Sequence, residues 1–282
     1  MRTTIIYFSQ TGNTGKIAQA MAETFKEAGH TVRTLSLKKA MPEDVAGTDL
    51  LGMGTACFGS QAPTPVKSFL QKLPHLRKTR GFVFATANEA PGRVLYDQTR
   101  LLRSKGVDII GGFLSRGENF YPAPSVCGRF PGRPDAKDLE RARGFARAVA
   151  GHVRAGATGP VAGSRPDALK PMWGVHDVLR FFQTDAWLRM LSPKPKLVLK
   201  KCTQCAWCAT ECPVGNIALQ PYPVLGRRCI RCYRCLTSCP QAAFSADLRL
   251  TSLLCKAVYN QPCARWFGDL EPGEKILERT DR

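Results

Sequence analysis

The sequence predicts an α/β fold, a doubly wound parallel sheet followed by a small α+β domain. Three observations lead there. Residues 1–155 alternate apolar, β-branched runs with stretches of helical period, the pattern of a parallel sheet covered by helices. A glycine-bearing turn, SQTGNTGK from Ser9 to Lys16, lies directly between the first strand-like run and the first helical one. Farther on, eight of the twelve cysteines crowd into residues 202–239, where the periodicity gives way to short fixed spacings.

Taken in order, the strand-like runs are Thr3 to Ser9, Thr31 to Leu37, Asp49 to Phe58, Gly81 to Ala87 and Val107 to Leu114. The helical periods are Asn13 to Ala28, Thr64 to Lys72, Gly92 to Lys105 and Ala136 to Arg154. An open sheet of this kind takes its ligand outside the carboxyl ends of its strands, so the loops after the first, third and fourth strands are expected to converge. Residues 156–196 are richer in Pro and Gly and read as a linker with one amphipathic docking helix around Trp173 to Leu191. Residues 197–250 form the cysteine domain, and 251–282 a C-terminal extension.

A chain of 282 residues with 44% hydrophobic content is expected to fold as two domains. Its 41 Lys and Arg against 22 Asp and Glu give a formal charge of +19, which favours acidic protein partners or anionic small molecules. Only Met1 and Arg2 precede the apolar TTIIYFS, which has neither the long apolar core nor the cleavage site of an export signal, so a cytoplasmic location is expected. The most apolar helical stretch is interrupted by Asp177, Arg180, Asp185 and Arg189, so no transmembrane segment is expected. Cytosolic thiols stay reduced, which turns the cysteines toward metal or redox work rather than disulfides.

CTQCAWCATECP places Cys202, Cys205, Cys208 and Cys212 in the spacing C-x2-C-x2-C-x3-C-P, and CIRCYRCLTSCP repeats it with Cys229, Cys232, Cys235 and Cys239. Each cysteine recurs 27 residues later, with Pro213 and Pro240 in the same trailing place. All-cysteine structural zinc is the alternative reading of CxxC pairs, and it would carry no electrons. The paired four-cysteine runs, with their apolar tails PVGNIAL and PQAAFSA, resemble the clostridial-type ferredoxins with two 4Fe-4S clusters. In that family the fourth cysteine of each run serves the other cluster. The resemblance therefore implies one cluster on Cys202, Cys205, Cys208 and Cys239, and another on Cys229, Cys232, Cys235 and Cys212. The chain departs from the commonest pattern by placing Ala206-Trp207 and Tyr233-Arg234 where a glycine often follows the second cysteine. It also carries Arg227, Arg228, Arg231 and Arg234 beside the second run, cations expected to raise that cluster's potential.

SQTGNTGK is not a Walker loop, since Gln10 stands where the first Gly belongs and Ile17 where the hydroxyl belongs. A generic N-capped turn is the bland reading. The stretch resembles the flavodoxin phosphate loop, T/S-x-T-G-N-T, and the resemblance implies FMN held by Ser9, Gln10, Thr11, Gly12, Asn13 and Thr14. GTACFGSQAP after the third strand resembles the first flavin-ring loop, with Phe58 to stack and Thr55, Ala56 and Gly59 lining the ring. TANEAPG after the fourth strand resembles the second, with Thr86, Ala87 and Asn88 at the ring edge. Asn119, Phe120 and Tyr121 after the fifth strand are open to ring covering or to loop packing. Cys57, Cys127, Cys255 and Cys263 read as small hydrophobes, and the four histidines fall in no catalytic motif.

Together the two resemblances match the flavodoxin-ferredoxin fusions of anaerobes called EFR family ferredoxins. They imply an electron-transfer protein relaying electrons between bound FMN and two 4Fe-4S clusters, coupling one- and two-electron redox partners, with acidic ferredoxins or flavodoxins among them. An alternative is a flavin-dependent oxidoreductase acting on a quinone-like or porphyrinogen-like molecule, with the clusters as its electron wire. No helix pair or aromatic-basic motif for nucleic acid is present, so no specific nucleic-acid partner is expected.

Overall fold

The computed structural model describes residues 1–88, 91–162, 164 and 189–259. Five apolar runs become the strands β1 (Arg2–Phe8), β2 (Thr31–Ser36), β3 (Leu50–Ala56), β4 (Arg80–Ala87) and β5 (Asp108–Arg116). They pair in the order β2-β1-β3-β4-β5, every neighbouring pair parallel. Four helices connect or follow them: α1 (Asn13–Glu27), α2 (Thr64–Lys72), α3 (Val94–Arg103) and α4 (Ala136–Arg154). All nine elements stand where the periodicity places them, with no end shifted by more than two residues and α2 and α4 unshifted.

Because successive side chains on a strand face opposite sides, the sheet builds two cores. On one face Ile5, Phe82 and Phe84 meet Ile17, Met21 and Phe25 of α1 and Phe145 and Val149 of α4. On the other, Ile6, Met53 and Val83 meet Val66 and Leu70 of α2 and Leu95 and Leu102 of α3. Gly52 and Gly54 of β3 are required by this packing, since a Cβ on either would run into the ring of Phe82 or Phe84 across the strand pair. A reciprocal capping box opens α4, where Asp138 N donates to Asp135 Oδ1 and Asp135 N to Asp138 Oδ2, each at 3.0 Å.

The cysteine region is built from short pieces. β6 (Lys196–Leu197) pairs antiparallel with β9 (Phe244–Ser245), and β7 (Ile217–Leu219) with β8 (Pro223–Leu225). Between them lie the one-turn helices α5 (Trp207–Thr210) and α6 (Arg234–Thr237), and α7 (Arg249–Tyr259) follows. The sequence repeat is also a backbone repeat. Positive φ occurs at Gln204 and Arg231, at Ala206 and Tyr233, and at Gly215 and Ala242, each pair one repeat apart. The expected docking helix around Trp173 to Leu191 lies almost wholly outside the described residues, as does Cys263. Among the described residues no helix is long and apolar enough to cross a membrane.

Candidate functional site

The carboxyl edge of the sheet gathers the loops that the sequence singles out. The chain leaves β1 through Ser9, whose Oγ accepts the Gly12 N–H at 3.1 Å. Gly12 then takes φ of 99°, a left-handed backbone that suits glycine. Helix α1 begins there with no side-chain cap, so the first-turn N–H groups stay available to an anion, and the helix dipole favours negative charge at that end. Two side chains of the turn face inward. Thr14 Oγ1 is hydrogen-bonded to Thr86 Oγ1 of β4 at 2.8 Å, and Asn13 Nδ2 donates to the carbonyl of Glu118 after β5 at 3.0 Å.

The loop after β3 closes on the same point, with Cys57 N donating to the Thr86 carbonyl at 2.9 Å. Phe58 and Gln61 exchange backbone hydrogen bonds around Gly59 and Ser60, both with positive φ, as in a type I′ turn. Phe58 stands edge-on to Phe8 with ring centroids 6.0 Å apart, and Thr55 Oγ1 donates to the Ala56 carbonyl at 3.0 Å. After β4, the carbonyls of Ala87 and Asn88 accept from Gly117 N and from Arg116 Nη1. Gln10 Oε1 and Ser60 Oγ, one in each of the first two loops, are buried and have no protein partner. Buried polar atoms rarely go unpartnered, so these fit a polar ligand lying against both loops.

Two residues of this edge carry no motif in the sequence. Asp97 of α3, 1% exposed, accepts the Ala62 N–H at 3.2 Å and pairs with Arg93 at 2.8 Å and Lys67 at 3.7 Å, pinning the loop after β3. Arg116, 3% exposed at the end of β5, stacks over the Phe130 ring at 4.6 Å while holding Asn88. Their only sequence signal is a charge inside an otherwise apolar period. Cys57 is half-buried, its thiol donates to the Pro91 carbonyl at 3.7 Å and is pushed up to about 12 by burial, and so it behaves as a small hydrophobe.

The eight cysteines of the two runs line two separate hollows. Cys202, Cys205 and Cys208 share one of about 310 Å³ with Cys239 from the other run. Cys229, Cys232 and Cys235 share another of about 360 Å³ with Cys212. Among the described residues no three His, Cys, Asp or Glu side chains converge tightly enough for a single metal ion. Four thiols around one hollow are a ligand set that a polynuclear iron-sulfur cluster or a single zinc ion could take. Asn216 N donates to Cys212 Sγ at 3.3 Å and Ala243 N to Cys239 Sγ at 3.4 Å, equivalent bonds in the two repeats. Burial pushes three of these thiols up: Cys232 to about 11, Cys235 to about 12, and Cys208. Metal binding there must therefore displace protons.

Ala206 and Tyr233 hold equivalent left-handed positions for different reasons. Left-handed backbone costs an L-residue about 1–2 kcal/mol, only part of which glycine returns to the unfolded chain as freedom. Ala206→Gly is expected to stabilise the chain by about 0.5–1 kcal/mol in anaerobic chemical denaturation. Tyr233→Gly is expected to destabilise it, because Tyr233 is 1% exposed, donates its hydroxyl to the Pro193 carbonyl at 2.6 Å and packs edge-on to Tyr121 at 5.3 Å. Tyr121, in edge-on contact with Tyr233 of the cysteine region, also shares a 2.8 Å hydrogen bond with Ser192 of the preceding linker.

Residues 5–101 match the family model described as Flavodoxin. Among solved structures, a flavodoxin from the domain Archaea has 16% identity and a TM-score of 0.44, covering 55% of this chain and 99% of its own. Rubredoxin oxygen:oxidoreductase of Desulfovibrio gigas has 19% identity and a TM-score of 0.45, covering 55% of this chain and 36% of its own. The flavodoxin of Megasphaera elsdenii has 24% identity and a TM-score of 0.40, covering 52% and 99%. No curated protein sequence matches the chain. With its five parallel strands in the order β2-β1-β3-β4-β5 and the family match over residues 5–101, the N-terminal domain of this chain is flavodoxin-like.

Proposed function

We propose that the chain is an electron-transfer protein that holds FMN in its flavodoxin-like domain and two 4Fe-4S clusters in a ferredoxin-type domain spanning residues 197–250. The observation that carries this reading is the sorting of eight thiols into two hollows, each with three cysteines of one run and the fourth of the other. Clusters there would move single electrons and a flavin could exchange them in ones or twos, which lets the pair join one- and two-electron partners.

The chain's own residues have assigned parts. Gly12 and the opening N–H groups of α1 hold the phosphate, Gln10 and Ser60 supply polar contacts, and the loops of Thr55 to Gly59 and Thr86 to Asn88 bound the ring. Arg234 lies in the second cysteine loop but is paired with Glu211 at 2.5 Å, so its effect on potential is reduced by a neighbouring carboxylate. The partners that fit the +19 charge are acidic redox proteins.

Anaerobic purification followed by iron, sulfide and flavin assays tests the reading. About eight irons and one FMN per chain are expected. One or two zinc ions without sulfide would overturn the cluster assignment. Full iron with no uptake of added FMN would overturn the flavin assignment.

A further inference from the structure

The phosphate-loop turn and the second cysteine loop are joined to each other directly. Gln10 Nε2 donates to the Cys232 carbonyl at 3.4 Å, and Arg234 Nη1 donates to the Gln10 carbonyl in return. Arg234 also reaches the other cysteine run, pairing with Glu211 at 2.5 Å and standing 5.5 Å from the centre of the Trp207 ring. Its guanidinium thus ties one turn of the N-terminal domain to both halves of the cysteine repeat. A second tether, Lys38 Nζ to the Thr210 carbonyl, joins the two regions without touching the phosphate-loop turn.

We propose that Arg234 is a positioning residue that couples the two sites, so that the chain binds an FMN-type phosphate through a turn held in shape by the second cysteine loop. This rests on the functional reading above. The physical reason lies in the peptide plane. In a trans peptide the carbonyl of Gln10 and the N–H of Thr11 point in opposite directions, so a charged donor fixed on that carbonyl also fixes the N–H. The Thr11 N–H lies in the turn that leads into Gly12 and the opening N–H groups of α1, so its direction sets the shape of the proposed cradle. Arg234 sits between Cys232 and Cys235 in sequence, so whatever orders that cysteine loop also orders the cradle. By linkage, filling the cradle then acts back on the Cys212, Cys229, Cys232 and Cys235 site and leaves the other site less affected.

The test is an anaerobic titration of FMN, followed by flavin fluorescence, into flavin-stripped full-length protein with iron content measured for each sample. Arg234→Ala is expected to weaken FMN binding about tenfold, the worth of one charge-assisted hydrogen bond. Gln10→Ala, which removes the hydrogen bond to the Cys232 carbonyl and leaves every cysteine in place, is expected to weaken it about threefold. Lys38→Ala, which removes only the second tether, is expected to leave it unchanged. EPR spectra of the reduced wild-type protein, with and without FMN, are expected to differ in one of the two cluster signals only. That separates coupling from loss of fold. Equal FMN affinity in wild type, Arg234→Ala and Gln10→Ala at full iron content overturns the coupling and leaves the functional reading standing, as do EPR signals indifferent to FMN. A wild-type protein that takes up neither iron nor FMN overturns the functional reading and the coupling with it.

Discussion

Replacing Cys202 and Cys239 together by alanine is expected to leave about four irons per chain, no fewer than either replacement alone. Replacing Cys202 and Cys212 together is expected to leave none. The reasoning rests on the two hollows. Cys239 belongs to the second run in sequence yet lines the hollow of Cys202, Cys205 and Cys208, while Cys212 lines that of Cys229, Cys232 and Cys235. Two replacements in one hollow damage one cluster, and two replacements split between hollows damage both. If each run instead held its own cluster, the outcomes would exchange, with Cys202 and Cys212 sparing about four irons. The experiment thus decides between crossed and uncrossed ligation by counting iron alone. On the proposed reading, loss of a cluster is also loss of folding free energy, because metal binding stabilises the fold that gathers its ligands. The double variants are therefore to be compared by iron per correctly folded chain, with the far-ultraviolet CD of the parallel sheet domain as control.

Gly54→Ala is expected to destabilise the N-terminal domain by about 3 kcal/mol, near the upper end for an overpacked core. The added methyl would enter the Phe84 ring, which is wholly buried and stands against Phe82. Neither neighbour has a free direction, because Phe82 is itself packed on Phe25 at 5.5 Å and edge-on to Phe145 at 5.9 Å. Phe84→Leu alone is expected to cost less than the usual 3–5 kcal/mol of Phe→Ala, and combining it with Gly54→Ala to recover part of the loss. Thermal or urea unfolding of the four proteins checks this. Additive losses in the double variant would show that the ring is not the obstacle.

Local signals in the sequence determined the strands, the helices and the strand-to-helix turn. β-Branched runs, 3.6-residue periods and a glycine-bearing turn are properties of a few neighbouring residues, and so were legible without a partner. The spacing of the two cysteine runs was legible for the same reason, and so was the repeat, which returns in the structure as paired positive φ values at Ala206 and Tyr233. Tertiary structure decided what meets what. Asp97 looks like any helical surface charge until α3 carries it beneath the Ala62 N–H, and Arg116 like any strand terminus until Phe130 covers it. Thr14, read as a phosphate hydroxyl, shares a hydrogen bond with Thr86, and Tyr121, read as a cover for the ring or a packed loop residue, packs against Tyr233. The assembly of four thiols from two runs, and the grip of Arg234 on Gln10, join residues far apart in the chain. No local pattern encodes such contacts, because they arise only when the second repeat folds back on the first and both settle at the carboxyl edge of the sheet.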